Sequence, residues 1–148
     1  MLGLGDPVRD LPRKFSGQLP GFVSRAEVFC AGCLVLQGAT FAEDESLAMR
    51  VAREPVFAEW PLIVLHDDAM VARSSPDFLW ATWTRFEPAA DIYAAETSIH
   101  RHHLVYKAPV VIDARTKPGF PDELIVRDDI RERVDRRWME YFPRGSTV

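Results

Sequence analysis

Pro61-Leu62-Ile63-Val64-Leu65-His66-Asp67-Asp68 decides the fold. Four apolar residues in succession, with no polar alternation, suit a strand buried on both faces, as in the middle of a parallel sheet. His66, Asp67 and Asp68 follow at its carboxyl end, where open parallel sheets gather ligands and functional loops. Upstream, residues 22–37 read as one strand region, with Val23, Ala26 and Val28 leading into the unbroken run Cys33-Leu34-Val35-Leu36 of a central strand. Gly32 marks a bulge or a close approach, and Gly38 ends the strand. Between the two strands, residues 43–59 predict a helix with an apolar stripe at Leu47, Ala48, Val51 and Ala52. Glu43, Asp44 and Glu45 suit the positive end of its dipole. Pro55, which has no amide proton, is expected to kink or restart that helix near Glu54.

Downstream, Ser75-Pro76-Asp77 reads as a helix start, with serine as cap and proline at the first helical position. Trp80 and Trp83 share one face of this helix, Arg85 closes it and Pro88 stops it. Residues 91–103 read as a connection without periodicity, 104–107 as a short strand and 109–113 as a firmer one. After the rigid loop 117–121 comes a last helix over 124–142, with Ile130, Val134 and Trp138 three or four apart. The alternation of strand and helix predicts an α/β domain of three layers with a mainly parallel sheet. Its span is 22–142, preceded by a glycine- and proline-rich extended arm over 1–21 and followed by a flexible tail over 143–148. Leu11, Phe15 and Leu19 are the arm's anchors, and such an arm suits self-association.

The chain's 148 residues suffice for one domain with a real core. A net charge of -4 argues against nucleic acid or an anionic membrane as partner. Arg131, Arg133, Arg136 and Arg137 alternate with Glu132 and Asp135, the pattern of a solvated helix face. No apolar run reaches membrane-spanning length and the first residues do not resemble an export signal, so a cytoplasmic location is expected. Cys30 and Cys33 form a C-x-x-C pair. Such a pair serves redox chemistry or half a metal site. Set within a strand, and with no second pair, it reads rather as buried structural thiols.

The densest group of chemically capable side chains is His100-Arg101-His102-His103. Histidines bind metals, but this spacing matches no common closed zinc site, so no metal is assigned. Arg101 offers a bidentate clamp for a carboxylate, and histidine moves protons near neutral pH. Packing of a connecting segment is the plainer account. Asp67 and Asp68 either cap the turn after the strand or hold a metal, and capping is preferred. Arg85 is expected to neutralise its helix end or pair with Glu87 or Asp91. Trp80 and Trp83 read as core or interface anchors. No phosphate loop, nucleophile elbow or Ser/His/Asp context is present.

Two stretches resemble the C-terminal domain of the UbiD family of decarboxylases. One is the strand and acidic turn just quoted. The other is a helix patterned Trp-Ala-x-x-Thr-Arg and then x-x-Pro-x-x-Asp, here Trp80, Ala81, Thr84, Arg85, Pro88 and Asp91. Val110-Val111-Ile112-Asp113-Ala114-Arg115-Thr116-Lys117-Pro118 resembles the end of that domain, and the likeness covers roughly residues 22–120. Pro55 and the His-Arg-His-His run depart from the family pattern. The family's members are reversible decarboxylases of aromatic, heteroaromatic or unsaturated acids. Their prenylated FMN, metal ion and catalytic glutamates sit in a larger N-terminal domain, so the resemblance assigns no catalytic or cofactor-binding residue to this chain. It implies instead a small subunit of a split decarboxylase or carboxylase, closing or shaping the site of a large flavin-binding subunit. His100, Arg101, His102 and His103 are then the substrate-pocket candidates, since a loop in the matching region approaches the pocket. Trp80, Trp83, Arg85 and Asp91 are structural or interface candidates. The alternatives are a non-catalytic assembly or regulatory protein that keeps the fold, and a small metal-dependent enzyme that uses the histidines.

Overall fold

A computed structural model describes residues 10–121 and 126–141. Residues 1–9 of the expected arm, residues 124, 125 and 142 of the expected last helix, and the 143–148 tail lie outside the described residues. A five-stranded sheet forms the body, in the order β1-β2-β3-β7-β4. Its strands are β1 (Val23–Cys30), β2 (Cys33–Gly38), β3 (Leu62–Leu65), β4 (Ile92–Ala94) and β7 (Val110–Asp113). The central three, β2, β3 and β7, run parallel, while β1 and β4 are antiparallel edges. The sheet is therefore mixed, parallel at its core and antiparallel at both rims.

The unbroken apolar runs have the expected cause. Alternate residues of β2, β3 and β7 feed two separate clusters. Leu34, Leu36, Ile63, Leu65 and Val111 pack with Leu47, Val51 and Phe57. Cys33, Val35, Val64 and Ile112 pack with Ala69, Ala72 and Phe78. With apolar neighbours on both faces, the runs 33–36, 62–65 and 110–112 carry no charged side chain. Truncating a fully buried residue such as Leu34 or Leu65 to alanine costs about 2–5 kcal/mol.

Helix α1 (Leu47–Arg53) supplies the first cluster, and its four predicted apolar positions are all buried. The chain turns extended at Glu54 and restarts as a 3-10 turn over Pro55–Phe57. This is the break that Pro55 predicts. Helix α2 (Ser75–Arg85) supplies the second cluster. Its cap is Ser74, whose hydroxyl accepts from the Asp77 amide, so the start lies one residue before the expected serine. The arm is anchored at home, because Phe15 and Leu19 pack on the first cluster and Phe15 lies 5.7 Å from Phe57, ring to ring.

Three sequence expectations are corrected. Residues 22–37 are two strands, hinged at Ala31-Gly32. Gly32 has φ +82, and a Cβ there would lie 2.7 Å from Leu11 Cδ2, so a glycine is needed for two reasons. Residues 91–103 are not structureless. They contain β4, and then β5 (Thr97–His100), which pairs with β6 (His103–Tyr106) in a separate two-stranded hairpin. The last helical region is broken into α3 (Asp128–Arg136) and α4 (Trp138–Tyr141), neither of which buries a residue. A stripe of Ile130, Val134 and Trp138 satisfies the helical period but says nothing of what covers it.

Candidate functional site

The parallel register pairs Leu65 of β3 with Asp113 of β7, so the two segments that leave these strands run side by side. One brings His66, Asp67 and Asp68, the other Ala114, Arg115, Thr116 and Lys117. Two charge networks result, one sealed and one open.

The sealed network is built on Arg115. Its Nε donates to Asp113 Oδ1 at 2.9 Å and its Nη2 to Oδ2 at 2.7 Å, with both side chains fully buried. Nη1 donates to the carbonyls of Ala39 and Asp44, each at 2.9 Å. One guanidinium thus ties the end of β7 to the loop between β2 and α1. Lys117 continues the network. Its Nζ is 3.1 Å from Asp91 Oδ2 and donates to the carbonyls of Asp113 at 2.7 Å and Arg85 at 3.2 Å. The Arg85 carbonyl belongs to the last turn of α2, so the ammonium also satisfies a helix end. Asp91 in turn accepts from the Glu87 amide at 2.7 Å.

The open network centres on Asp67. Its Oδ2 accepts from the Thr116 amide at 2.8 Å, the Thr116 hydroxyl at 2.7 Å and Arg85 Nη1 at 3.3 Å. Asp68 caps the 3-10 turn that follows, accepting from the Met70 amide at 2.9 Å. The His66 ring is buried, with Nδ1 3.0 Å from the Asp68 backbone and Nε2 3.4 Å from Arg85 Nη1. Burial, first, and the Arg85 charge lower its pKa, against the backbone hydrogen bond to Asp68 and the neighbouring carboxylates, so the imidazole is neutral at pH 7. These groups face an open cleft of about 640 Å³ that Asp77 and Trp80 also line. The cleft offers one paired cation, carboxylates, a neutral imidazole and an indole. That set suits binding and docking.

The expected site residues separate in space. His100 and His103 pair across the hairpin, and Arg101 and His102 form its two-residue turn at φ 49 and 67. Both turn residues occupy the left-handed region that tight hairpin turns demand and that glycine or asparagine usually fills. All four side chains are exposed. The three histidines do not converge, and among the described residues no group of three or more His, Cys, Asp or Glu can hold a metal ion. Arg85 pairs with Asp67, not with Glu87 or Asp91, and Asp91 pairs with Lys117. Asp67 bridges two segments instead of capping a turn. Trp80 and Trp83 are 63% and 58% exposed, which removes the core reading and leaves the interface one. Sequence reasoning misses Asp113, Arg115, Thr116 and Lys117 as a group. The available signal is alternation of charge straight after a wholly buried strand.

No family model matches the chain. A protein of Chlamydia pneumoniae, named as one of the subunits of a 4-hydroxybenzoate decarboxylase, is 38% identical over 147 residues, covering 99% of this chain and 25% of its own length. This chain resembles the UbiD family. An uncharacterized protein of Chlamydia trachomatis serovar D is 39% identical over 144 residues, covering 96% of this chain and 24% of its own length. The chain therefore spans about a quarter of the length of the curated relatives it matches. Among solved structures, the vanillic acid decarboxylase of Sedimentibacter hydroxybenzoicus in open form matches 81% of this chain and 29% of its own, at 15% identity and TM-score 0.49. Its closed form matches 82% and 29%, at 16% and 0.48. Within residues 85–117, Asp113 pairs with Arg115 and Asp91 with Lys117 in the sealed frame just described, while Arg85 pairs with Asp67. No helix among the described residues is long and apolar enough to cross a membrane.

Proposed function

We propose that this chain is the small, closing subunit of a split UbiD-type decarboxylase or carboxylase acting on an aromatic or unsaturated carboxylic acid. The similarity to a protein named as a decarboxylase subunit, across nearly the whole chain, supports the reaction class. The observation that carries the role is the β5–β6 hairpin. It carries His100, Arg101, His102 and His103 at an exposed tip, with two non-glycine residues in the left-handed region. A two-residue hairpin turn demands that region at both positions, and it presents the two side chains at the tip.

The described residues provide neither a metal cluster nor an unpaired cation in the cleft for a flavin phosphate, so prenylated FMN and its metal are proposed for a large partner subunit, with the acid–base glutamates. The flavin, when bound there, supplies the electron sink for the charge left as carbon dioxide departs. This chain's own part is to orient and enclose. Arg101 clamps the substrate carboxylate, or a polar ring substituent, through its planar fork. The flanking imidazoles donate or accept hydrogen bonds to the same group near neutral pH. Closing the domain excludes water and fixes the reacting geometry. The exposed Trp80 and Trp83 face of α2 is the proposed contact with the partner. The same closing role applies where the flavin-holding part is joined to this domain in one longer polypeptide.

The test is to purify the tagged chain from its native cells, identify what accompanies it by mass spectrometry and record an absorption spectrum. A large partner with a bound modified flavin is expected. A chain that emerges alone and colourless contradicts the reading, and a non-catalytic assembly role then takes its place.

A further inference from the structure

The two cysteines lie at the opposite end of the sheet from the cleft. Cys33 opens β2 and pairs with Leu62 at the start of β3, whereas the cleft lies beyond the last residues of β3 and β7. Cys30 is the last residue of β1, and it is the antiparallel partner of Cys33 across the Ala31-Gly32 turn. Residues facing each other on antiparallel strands have Cα atoms about 4.5–5.5 Å apart. A disulfide requires about 4.4–6.8 Å.

The turn that carries them is held from both sides. The Gly32 amide donates to the Pro12 carbonyl at 2.9 Å, and the Gly32 carbonyl accepts from the Leu62 amide at 3.2 Å. Leu11 and Pro61 close over the Gly32 Cα. The backbone of the two residues is thus held paired in the reduced chain, so bond formation orders little more of it. Their surroundings differ as an attacking and a resolving thiol should. Only Cys33 is buried, at 4% exposure; Cys30 is exposed, which corrects the expectation of two buried thiols.

We propose that Cys30 and Cys33 are a reversible dithiol modification site that closes to an intramolecular disulfide by exchange with a small-molecule disulfide. The Cys30 thiolate attacks one sulfur of the small disulfide, forms a mixed disulfide and releases one small thiol. Cys33 sulfur then attacks the Cys30 sulfur, its proton goes to the departing second small thiol, and the S–S bond joins 30 to 33. Two protein thiols are oxidised and one small disulfide is reduced to two thiols. Burial, first, and then the charge and hydrogen bond of Cys30 push the Cys33 thiol up to about 12. The closed bond is uncharged, and burial no longer opposes it.

The experiment is intact-mass analysis of the full, reduced chain incubated with glutathione disulfide. The expected result is a loss of two hydrogens with no glutathionyl group retained, reversed by dithiothreitol. Cys33→Ser is expected to trap one glutathionyl group on Cys30, and Cys30→Ser to stay unmodified. A wild-type chain that keeps a stable glutathionyl adduct, forms disulfide-linked dimers or remains unmodified overturns the proposal.

Discussion

The segments that leave β3 and β7 and the β5–β6 hairpin each gather charged and polar side chains, and burial divides them. In the first, Arg115 and Asp113 are wholly enclosed and Lys117 and Asp91 nearly so, with partners at 2.7–3.2 Å for each charge. In the second, His100, Arg101, His102 and His103 are all exposed. The hairpin has the higher density of catalytically capable side chains and the weaker surroundings. Enclosed charges must be matched where they stand, so they fix the frame. Exposed charges stay available for something that arrives.

That division can be broken from either side. The largest effect is expected from Arg115→Ala, which strands the buried Asp113 carboxylate and frees the Ala39 and Asp44 carbonyls. A loss of about 3–5 kcal/mol in urea unfolding is expected. Lys117→Ala or Asp91→Ala opens the link between α2 and the 113–117 segment, and should cost about 1.5–3 kcal/mol in the same measurement. A loss below about 0.5 kcal/mol for Arg115→Ala, the size of an ordinary surface change, would place the frame elsewhere.

His66 sharpens the comparison through pH. Its folded pKa is lowered from the ordinary 6.5, so the unfolded chain takes up its proton first as pH falls. Its contribution to stability is complete above pH 6.5 and is lost as pH drops through that value toward the folded pKa. Unfolding midpoints followed downward from about pH 8 should decline in this window. His66→Gln should flatten that part of the profile, and an unchanged profile would mean the imidazole is not buried as described.

Replacing Arg101-His102 with Asn-Gly relieves the left-handed strain and should raise stability by about 1 kcal/mol, while decarboxylation by the assembled enzyme falls. His100→Ala is expected to be the mildest, within about 0.5 kcal/mol by thermal unfolding. Opposite signs for stability and turnover at 101 and 102 would separate function from packing.

The central strands are legible in the sequence because burial on both faces leaves a distinct mark, the unbroken runs 33–36 and 62–65. The restart at Pro55 is legible because proline's chemistry is local. The hairpin is not, because its turn uses Arg101-His102 where the usual signal is Asn-Gly. The Ala31-Gly32 turn resembles a bulge because apolar residues continue on both sides of it. At the candidate site, the grouping of His100 to His103 on one tip follows from adjacency. The pairing of Asp67 with Thr116 and of Lys117 with Asp91 does not, because strand register, parallel between β3 and β7 and antiparallel between β4 and β7, brings together residues 49 and 26 positions apart, which no local pattern announces. Arg85 illustrates the same limit. Its neighbours in sequence include acids, but its partner is across the sheet end.

The most direct measurement of the central claim is carbon dioxide release from an aromatic carboxylic acid by the flavin-bearing partner, assayed with and without this chain. Activity that emerges only with the chain, and drops when Arg101 is replaced by alanine while the complex stays intact, is the predicted result. Full activity of the partner alone would contradict the account.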